Sequence, residues 1–323
     1  MRTFKKRQVV GLVGAVVWAI WLLALGPAKA FAIVQEYWEF SLTMVFGSLV
    51  AGTTSLGGGA VAFPVFTKVL AISPEDAKVF SLAIQSVGMG AASLAIVFGG
   101  VRIDWRVVFW GSAGAVVGIM LGALWLSPLV IPSVVKMSFT MMMAGFALTL
   151  WVLNRTHREC HDQVSVYGWR ERVILMVAGG LGGVMSGLVG NGADIAVFSV
   201  MVLLFRVNEK VATPTSVVVM ALNAMAGFVL VGPVASLFTD EIQLWWLAAV
   251  PVVVLGAPLG VVLCTFMSRL AISRLLIALI VLEVLSSLVL IPLTPLTVGV
   301  SSVVFVVFSA LAILMSRAER YHP

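Results

Sequence analysis

Residues 186–194 read Ser186-Gly187-Leu188-Val189-Gly190-Asn191-Gly192-Ala193-Asp194 and interrupt a long apolar run at 173–205. A second break, Thr53-Thr54-Ser55-Leu56-Gly57-Gly58-Gly59-Ala60, interrupts the apolar run at 40–71. Backbone that leaves the helix at membrane depth is costly because no water satisfies its N–H and C=O groups, so it persists only where protein or a wet cavity covers it. Matched breaks in two halves of a membrane chain predict a binding site for a transported solute.

The composition is that of a membrane protein. Hydrophobic residues make up 61% of the 323-residue chain, charged residues 11%, and the mean hydropathy is +1.12. The charges fall in short clusters between apolar runs of about 20 residues, the length that a helix needs to cross the hydrocarbon. We therefore expect an all-α integral membrane protein without a sizeable soluble domain. Because the basic residues lie beside membrane segments, topology explains the pI of ≈ 9.7 better than binding to a nucleic acid does.

The sequence predicts no cofactor, no metal site and no enzymatic activity. It contains no nucleotide-binding loop of the G-x-x-x-x-G-K-[ST] type, so we do not expect the chain to hydrolyse ATP itself. His157, Cys160 and His161 fall in a polar connector and are too few for a metal site. An enzyme within the membrane would need a matched nucleophile and base, whereas the apolar runs contain no His and a single Cys.

The two interrupted runs are too long for one ordinary span, so each either crosses the membrane or dips in and returns as a hairpin. If both are hairpins, 16 of the 20 Lys and Arg residues lie on the side of the N-terminus. If both cross, the clusters at 102–106 and 155–172 change sides and this bias collapses. Because basic residues favour the cytoplasmic side, the sequence predicts eight spans, two re-entrant broken-helix hairpins and both termini in the cytoplasm. The predicted spans are 9–26, 79–99, 107–127, 132–153, 211–232, 243–267, 272–291 and 297–316.

This topology divides the chain into five segments. They are an N-terminal span and outer loop at 1–39, a first repeat at 40–153, a cytoplasmic linker at 154–172, a second repeat at 173–291, and a last span and tail at 292–323. The first segment also resembles a signal peptide, with Ala28-Lys29-Ala30 as a cleavage site, although the length of the apolar run favours an uncleaved span. The expected location is the plasma membrane, the inner membrane of a bacterium.

The two repeats share the order hairpin, span, span, span. When the sequence is aligned with itself at an offset of 135 positions, Ser55–Gly59 matches Gly190–Asp194. At an offset of 138 positions, Gly118-x-x-x-Gly122 matches Gly256-x-x-x-Gly260. The second pattern is typical of close helix contacts. Each repeat has three crossings, an odd number, so we expect an inverted 3+3 repeat. The hairpins would then enter from opposite sides, with tips that meet near the midplane.

Three segments carry a resemblance to a known family. Gly47–Pro64 resembles the first signature of the TauE/SafE family of sulfite and sulfonate permeases, Gly182–Gly192 is similar to its second signature, and Val211–Ser216 to its Thr-Ser stretch. The resemblance covers residues 40–291 and implies transport of small sulfur-containing anions such as sulfite, sulfoacetate or other organosulfonates. The chain departs from the family pattern at Ser55, Asn191, Ala193 and Asp194. These departures bear on the identity of the substrate more than on the fold.

The returning leg of each hairpin begins deep in the membrane, just after the glycines. The first N–H groups of a helix lack internal partners and carry partial positive charge, so two such ends predict an anion cradle. Glycines let an oxyanion approach the backbone, and hydroxyls and amides add donors. The alternative is close packing for the small residues and interhelical hydrogen bonding for Gln85 and Asn223. The predicted substrate-binding residues are Thr54, Ser55, Gly57, Gly58, Gly59, Ser81, Gln85, Gly190, Asn191, Gly192, Thr215, Ser216 and Asn223.

Two acidic residues, Asp194 and Glu283, fall at membrane depth, where a carboxyl group is a functional candidate by default. Because burial raises the pKa of a carboxyl group in general, both are candidates for proton coupling. The alternative for Asp194 is to cap the returning helix. The alternative for Glu283 is a protonated or hydrogen-bonded packing residue.

The sequence thus predicts a secondary transporter of small sulfur-containing anions that works by alternating access between the two tips, with Asp194 and Glu283 as the candidates for a link to protons. An anion channel and a transporter of non-sulfur organic anions are the alternatives. The expected partners are a small anionic substrate and the lipid bilayer, with no nucleic acid, and assembly into a homo-oligomer is left open.

Overall fold

The computed structural model describes residues 2–58, 62, 65–154 and 160–317, with side chains from residue 11 onward. Gly59 and Ala60 at the first tip, and His157 in the linker, lie outside the described residues. The helices are α1 Arg2–Leu25, α2 Pro27–Glu36, α3 Trp38–Thr53, α4 Pro74–Phe98, α5 Trp105–Met120, α6 Pro132–Leu153, α7 Trp169–Val189, α8 Ala193–Ser199, α9 Glu209–Val229, α10 Asp240–Phe266, α11 Arg269–Leu290 and α12 Pro295–Ser316. Wider π-helical turns form Val65–Val69 and continue α5 (Leu121–Leu126), α8 (Val200–Leu204) and α9 (Leu230–Val234).

Within the described residues, eight helices are long and apolar enough to cross a membrane, which confirms a helical integral membrane protein. They are α4, α5 through Leu129, α6, α7, α9 through Val234, α10, α11 and α12. The predicted first span differs, because Gly11–Leu25 and Pro27–Glu36 make a ninth candidate only as a pair bent by 100°. Gly26 permits this bend because it adopts a φ of +75°, which glycine reaches without a steric penalty.

The second interrupted run returns to the face where it began. α8 folds back on α7 so tightly that a Cβ on Gly182 would lie 2.7 Å from Cα of Ala193. At the end of the return, the N–H of His161 donates to the carbonyl of Arg206 (2.9 Å), and the N–H of Asn208 donates to the carbonyl of His161 (2.8 Å). The linker before α7 and the residues after α8 therefore lie side by side, so the run at 173–205 is a hairpin.

The first leg of this hairpin is longer than the distance from the membrane surface to a turn near the midplane. α7 has 21 residues, about 31 Å at 1.5 Å per residue, and by length alone it qualifies as a span. The reason lies in its first turn, where Arg170, Glu171 and Arg172 follow Trp169 and continue the polar linker into the helix. Only the part after these charges is apolar enough for the hydrocarbon.

The first interrupted run also returns to its starting face. Near the start of α3, the ring of Phe40 lies 5.1 Å from the ring of Phe66 on the returning leg and 4.8 Å from the ring of Trp245 in the first turns of α10. Phe80 of α4 closes this cluster with an edge-on contact to Phe66 at 4.8 Å. These aromatic contacts hold both ends of the first hairpin beside the N-terminal end of α10.

Polar contacts gather most of the predicted cytoplasmic segments on one face, which we call the linker face. These contacts are Arg102 with Asp162 (2.7 Å), the N–H of Val164 with Asp104 (3.2 Å), Asn154 with Ser273 (2.5 Å), Arg269 with Glu209 (3.7 Å) and Arg206 with the carbonyl of Ser316. The second hairpin starts and ends here. On the opposite face, Lys68 of the first hairpin donates to Ser287 near the end of α11 (3.0 Å). The two hairpins therefore enter from opposite faces, while the inverted relation of the whole repeats stays a prediction.

Asp104 anchors the linker face to the start of α5. Its carboxylate accepts hydrogen bonds from the guanidinium of Arg106 at 3.0 and 2.8 Å and from the backbone N–H groups of Arg106 and Val164. Burial opposes ionisation of this carboxyl group, but the hydrogen bonds from Arg106 and Val164 outweigh burial and hold the pKa of Asp104 below its usual value. Asp104 therefore joins the linker to the N-terminus of α5 as an ionised group.

Glycines let α5 and α7 touch backbone to backbone. A Cβ on Gly114 would lie 2.0 Å from the carbonyl oxygen of Met176, and a Cβ on Gly118 would lie 2.0 Å from that of Gly180. From the other side, a Cβ on Gly183 would lie 2.2 Å from the carbonyl oxygen of Ala115. Helices come this close only where side chains are absent, so this seam fixes the first leg of the second hairpin on a helix of the first repeat.

A second glycine seam joins α3 to α10. A Cβ on Gly52 would lie 2.0 Å from the carbonyl oxygen of Ala257, and a Cβ on Gly260 would lie 2.5 Å from that of Leu49. A Cβ on Gly256 would overlap the hydroxyl of Ser48 at 2.0 Å. Each hairpin therefore packs its first leg on a glycine-lined helix of the other repeat, and the two seams use the glycine pairs that match in sequence.

Candidate functional site

The tips of the two hairpins are in direct contact. The side-chain amide of Asn191 in the second tip donates to the carbonyl oxygen of Leu56 in the first tip. Next to it, Gly57 adopts a φ of +65°. A Cβ on Gly57 would lie 2.7 Å from Oδ1 of Asn191, 2.9 Å from Oδ2 of Asp194 and 3.1 Å from Oε1 of Gln85. We call Leu56, Gly57, Gln85, Asn191 and Asp194 the tip junction. Gly57 lies so close to the other residues that a side chain at its position would not fit.

The turn of the second tip is held by α4. Gly190 ends α7 in the left-handed conformation, with a φ of +83°. Its carbonyl oxygen accepts hydrogen bonds from the hydroxyl of Ser81 (3.3 Å) and from Nε2 of Gln85 (2.9 Å). Gly192 follows with a φ of +147°, a conformation that only glycine adopts readily. Two predicted residues of α4 thus contact the tip, and they do so as hydrogen-bond donors to its backbone.

Asp194 lies at the start of α8 and is only 2% exposed. Its Oδ1 accepts the backbone N–H of Ile195 (2.9 Å). The N-cap of α8 is Gly192 and not Asp194, so Asp194 pairs with an N–H of the first turn without being the N-cap residue. Its other oxygen, Oδ2, faces Gly57 across the tip junction. Among the described residues, no Lys or Arg forms an ion pair with Asp194, so its charge is not neutralised by a side chain.

The hydroxyl groups of several predicted binding residues donate hydrogen bonds to backbone carbonyls of their own helices. The hydroxyl of Thr54 donates to the carbonyl of Val50 (2.9 Å), and that of Ser216 donates to the carbonyl of Thr213 (2.9 Å). Thr215 donates to its own helix at Val211 (2.7 Å) and accepts the N–H of Asp104 (3.1 Å), at the linker face. Gly58 packs against Gly47 of its own leg. Among the described residues, none of these four makes a hydrogen bond across the tip junction, and Thr215 belongs to the linker face.

Four predicted site residues contain buried polar atoms that have no hydrogen-bond partner among the described residues. The atoms are Oγ of Ser55, Oε1 of Gln85, Oδ1 of Asn191, and both Oδ1 and Nδ2 of Asn223. Each of these residues is at most 2% exposed. Other atoms of this kind, such as the hydroxyls of Ser93, Ser112 and Ser309, lie outside the predicted site. Buried polar groups are nearly always paired in folded proteins, and Oε1 of Gln85 and Oδ1 of Asn191 are two exceptions that lie together at the tip junction.

Glu283 is separate from the tip junction. It lies near the end of α11 on the opposite face, where Lys68 approaches its carboxylate to 3.7 Å and Ser287 donates to it at 3.1 Å. Thr140 of α6 completes the contacts at 3.4 Å. The side chain of Lys68 is 5% exposed and that of Glu283 is 15% exposed. This partly buried ion pair was not predicted, because the two residues are more than 200 positions apart.

A cavity reaches toward the second tip from the opposite face. Its volume is ≈ 360 Å³, and its wall includes Lys78, Lys136 and Ser127. Lys78 donates to the hydroxyl of Ser127 at 2.8 Å. The cavity also touches Val189, the residue before Gly190. No partner for these lysines could be predicted from the sequence, although both are among the few basic residues expected on the side opposite the N-terminus.

A second cavity reaches toward the first tip from the linker face. Its volume is ≈ 200 Å³, and its wall includes Arg102, Lys210 and Thr213. It also touches Gly52, at the end of α3. Each face therefore has a cavity with two basic side chains, and each cavity stops beside the hairpin that enters from the other face.

The comparison with known families agrees with this architecture. A family model described as the sulfite exporter TauE/SafE matches residues 40–288, which include both hairpins and both glycine seams. No curated protein and no solved structure gives a significant match. Because the family model covers most of the chain, this protein belongs to the TauE/SafE sulfite exporter family, a family of membrane transporters and not of enzymes.

Proposed function

We propose that this protein carries small sulfur-containing oxyanions, sulfite or an organosulfonate, across the plasma membrane by alternating access at the tip junction. The observation that carries the proposal is the contact between Asn191 and Leu56, which joins two hairpins that enter from opposite faces. Transporters built from paired repeats hold their substrate where such broken elements meet. The family match supports the substrate class.

The charges of the two cavities support an anion as the substrate. Lys78 and Lys136 line one cavity, and Arg102 and Lys210 line the other. Basic side chains in a cleft with apolar walls raise the local concentration of an anion. A pair on each face would serve an anion that arrives from one side and leaves from the other.

Donors for the anion remain available among the predicted binding residues. The hydroxyl of Ser55 and the side-chain N–H groups of Asn223 are buried and have no partner among the described residues. A sulfite or sulfonate group offers three oxygens, each of which can accept such donors. In the alternating cycle, the first hairpin closes the path to the opposite face and the second closes the path to the linker face, and one of them withdraws at a time.

Proton linkage is the second part of the proposal, with Asp194 as the proton carrier. An ionised Asp194 would repel an anion at the junction, and a protonated one would accept it. Glu283 is the weaker candidate, because Lys68 already approaches its charge. Uptake by Asp194→Asn measured over a pH series tests this part; a pH dependence identical to that of the wild type would exclude Asp194.

The proposed orientation places the linker face and both termini in the cytoplasm. The linker face carries Arg102, Arg206, Arg269 and Arg274, and basic residues favour the cytoplasmic side. Single cysteines at Asp162 and Asp240, in a background without the two native cysteines, can be labelled in intact cells with an impermeant maleimide. Labelling of Asp240→Cys alone is expected, and labelling of Asp162→Cys alone would reverse the orientation.

Transport is tested with purified protein in liposomes. We expect counterflow of sulfite or a small sulfonate, and a loss of about tenfold or more in Asn191→Ala, because one buried hydrogen bond contributes about 1.4 kcal/mol. Asn154→Ala at the linker face is the matched control and should keep most of the activity. Unitary currents would indicate a channel, and equal transport of acetate would indicate a carrier of general organic anions; either result would overturn the proposed mechanism or substrate.

A further inference from the structure

Three side-chain oxygens converge at the tip junction. Oδ1 of Asn191, Oδ2 of Asp194 and Oε1 of Gln85 all lie within 3.1 Å of the point that a Cβ on Gly57 would occupy. They come from the second hairpin and from α4, while Gly57 belongs to the first hairpin. Because Gly57 has no side chain, its backbone can lie against all three oxygens.

The orientation of both amides follows from their neighbours. Nε2 of Gln85 donates to the carbonyl oxygen of Gly190 (2.9 Å) and to the hydroxyl of Ser81 (2.7 Å). The amide nitrogen of Asn191 donates to the carbonyl oxygen of Leu56. A flipped amide would set oxygen against carbonyl oxygen in both cases, so the amide oxygens must be the atoms that face the junction.

Two of these three oxygens lack a donor. Among the described residues, Oε1 of Gln85 and Oδ1 of Asn191 have no hydrogen-bond partner, and each residue is 2% exposed. Asp194 is equally buried; its carboxylate accepts backbone N–H groups at the start of α8 but has no basic side chain as a partner among the described residues. Two unpaired partial negative charges beside a carboxylate without a cationic partner are unfavourable in a medium of low dielectric constant. The arrangement therefore calls for a positive species between them.

The donor set indicates which species fits. Oxygen ligands without nitrogen or sulfur select hard cations. A single carboxylate supplies one negative charge, so a monovalent cation leaves the junction neutral, whereas a divalent cation would leave an unpaired positive charge in the membrane. A proton on Asp194 can be shared with only one of the two amide oxygens, whereas a metal ion can be bound by all three.

We infer that the tip junction binds a sodium ion through Oε1 of Gln85, Oδ1 of Asn191 and the carboxylate of Asp194. Because its ligands come from α4 and the second hairpin and lie against Gly57 of the first hairpin, the ion stabilises the closed contact between the tips. If the protein transports an anion as proposed, sodium competes with the proton for the carboxylate of Asp194, and either cation neutralises Asp194 and allows the anion to approach. This coupling rests on the proposed function, whereas the binding of sodium does not.

The direct test is binding of sodium to the purified full-length protein without any anionic substrate. Its thermal unfolding is followed in NaCl, KCl and choline chloride at equal ionic strength, and binding of radioactive sodium is measured by equilibrium dialysis. We expect a saturable rise in Tm with sodium alone, and a weakening of sodium affinity by about tenfold or more in Asp194→Asn, the loss expected when a metal site is disrupted.

Two further variants keep the test decisive. Gln85→Met removes one ligand without changing the charge, and it should weaken sodium binding even if Asp194→Asn does not fold. Asp162→Asn makes the same chemical change at the linker face, where the carboxylate is 59% exposed, and should bind sodium like the wild type.

The outcomes separate this inference from the proposed function. Sulfite binding, measured by the same thermal method in choline chloride and in NaCl, reports on the proposed function by itself. If sodium gives no more stabilisation than potassium or choline, or if Gln85→Met and Asp194→Asn bind it unchanged, the inference is wrong, whether or not sulfite binds. A rise in Tm on acidification that is lost in Asp194→Asn, without an effect of sodium, would likewise replace sodium by a proton.

Discussion

Replacing Gly118 by Ala should loosen the seam between α5 and α7. The added Cβ would lie 2.0 Å from the carbonyl oxygen of Gly180 and 2.9 Å from the nitrogen of Val184. Ordinary contact begins at 3.4 Å, so the two helices must separate by about 1.4 Å at this point. Because both neighbours are backbone atoms, no side-chain rotation can relieve the overlap. Overpacking of this kind destabilises a protein by about 1–3 kcal/mol.

The same seam offers a matched control. Gly180 also lies in a helix of this seam, but a Cβ there would be 3.7 Å from the carbonyl oxygen of Gly114, an ordinary contact distance. Gly299 of α12 has no neighbour within 4 Å of a Cβ. Alanine at either position should be neutral or slightly stabilising, since Ala favours the helix over Gly by about 0.5–1 kcal/mol.

The assay is thermal unfolding of the purified protein in detergent, with sulfite counterflow measured in parallel. The expected order of Tm is Gly299→Ala at or above the wild type, Gly180→Ala close to it, and Gly118→Ala clearly below. Since α7 carries the second tip, Gly118→Ala should also reduce transport. If Gly118→Ala unfolds like the wild type, or if Gly180→Ala is equally harmful, backbone contact at this seam does not fix the hairpin.

Three other predictions address charged groups. The pKa of Asp104 lies below its usual value in the folded state. Its stabilising effect is therefore complete above the unfolded pKa of about 3.9 and is lost as the pH falls through the folded pKa. Asp104→Asn should lower the Tm at neutral pH, and the Tm of this variant should fall less steeply in acid than that of the wild type. Lys68→Met should cost about 3 kcal/mol by leaving Glu283 unpaired in a partly buried site, and adding Glu283→Gln should restore part of that loss in a thermal scan. Replacing Lys78 and Lys136 by Gln should raise the KM for the anion on the opposite face and weaken its salt dependence, with kcat nearly unchanged in an uptake assay; a change in kcat alone would refute a role in attraction.

The hairpins could be predicted because two independent signals agree in the sequence. The glycines mark where the helix stops, and the positions of Lys and Arg decide on which face the chain emerges. The structure brings His161 and Asn208 together at the end of the second hairpin, which is what the charge pattern requires. The lengths of the helices were harder to predict, because the charged residues Arg170, Glu171 and Arg172 extend α7 beyond the apolar run that begins at residue 173.

The chemistry of the tip junction could be predicted only in part. Gln85 and Asn191 were identified as polar residues beside the glycines, and they do face each other across Gly57. The orientation of their side-chain amides could not be predicted, since an amide group has donors on one side and an acceptor on the other. The carbonyl oxygens of Gly190 and Leu56 determine this orientation. These oxygens can accept a side-chain hydrogen bond because the helices end there.

The glycine motifs show the same limit at the level of helix packing. Gly118-x-x-x-Gly122 predicts a close contact with the backbone of another helix, but the motif does not indicate which helix that is. The structure shows that this motif packs on α7 and that its sequence match, Gly256-x-x-x-Gly260, packs on α3. Both partners are first legs of hairpins, and in both cases the hairpin belongs to the other repeat. The first leg of each hairpin therefore packs on a helix from the other half of the chain, so the position of each tip depends on contacts between the two halves.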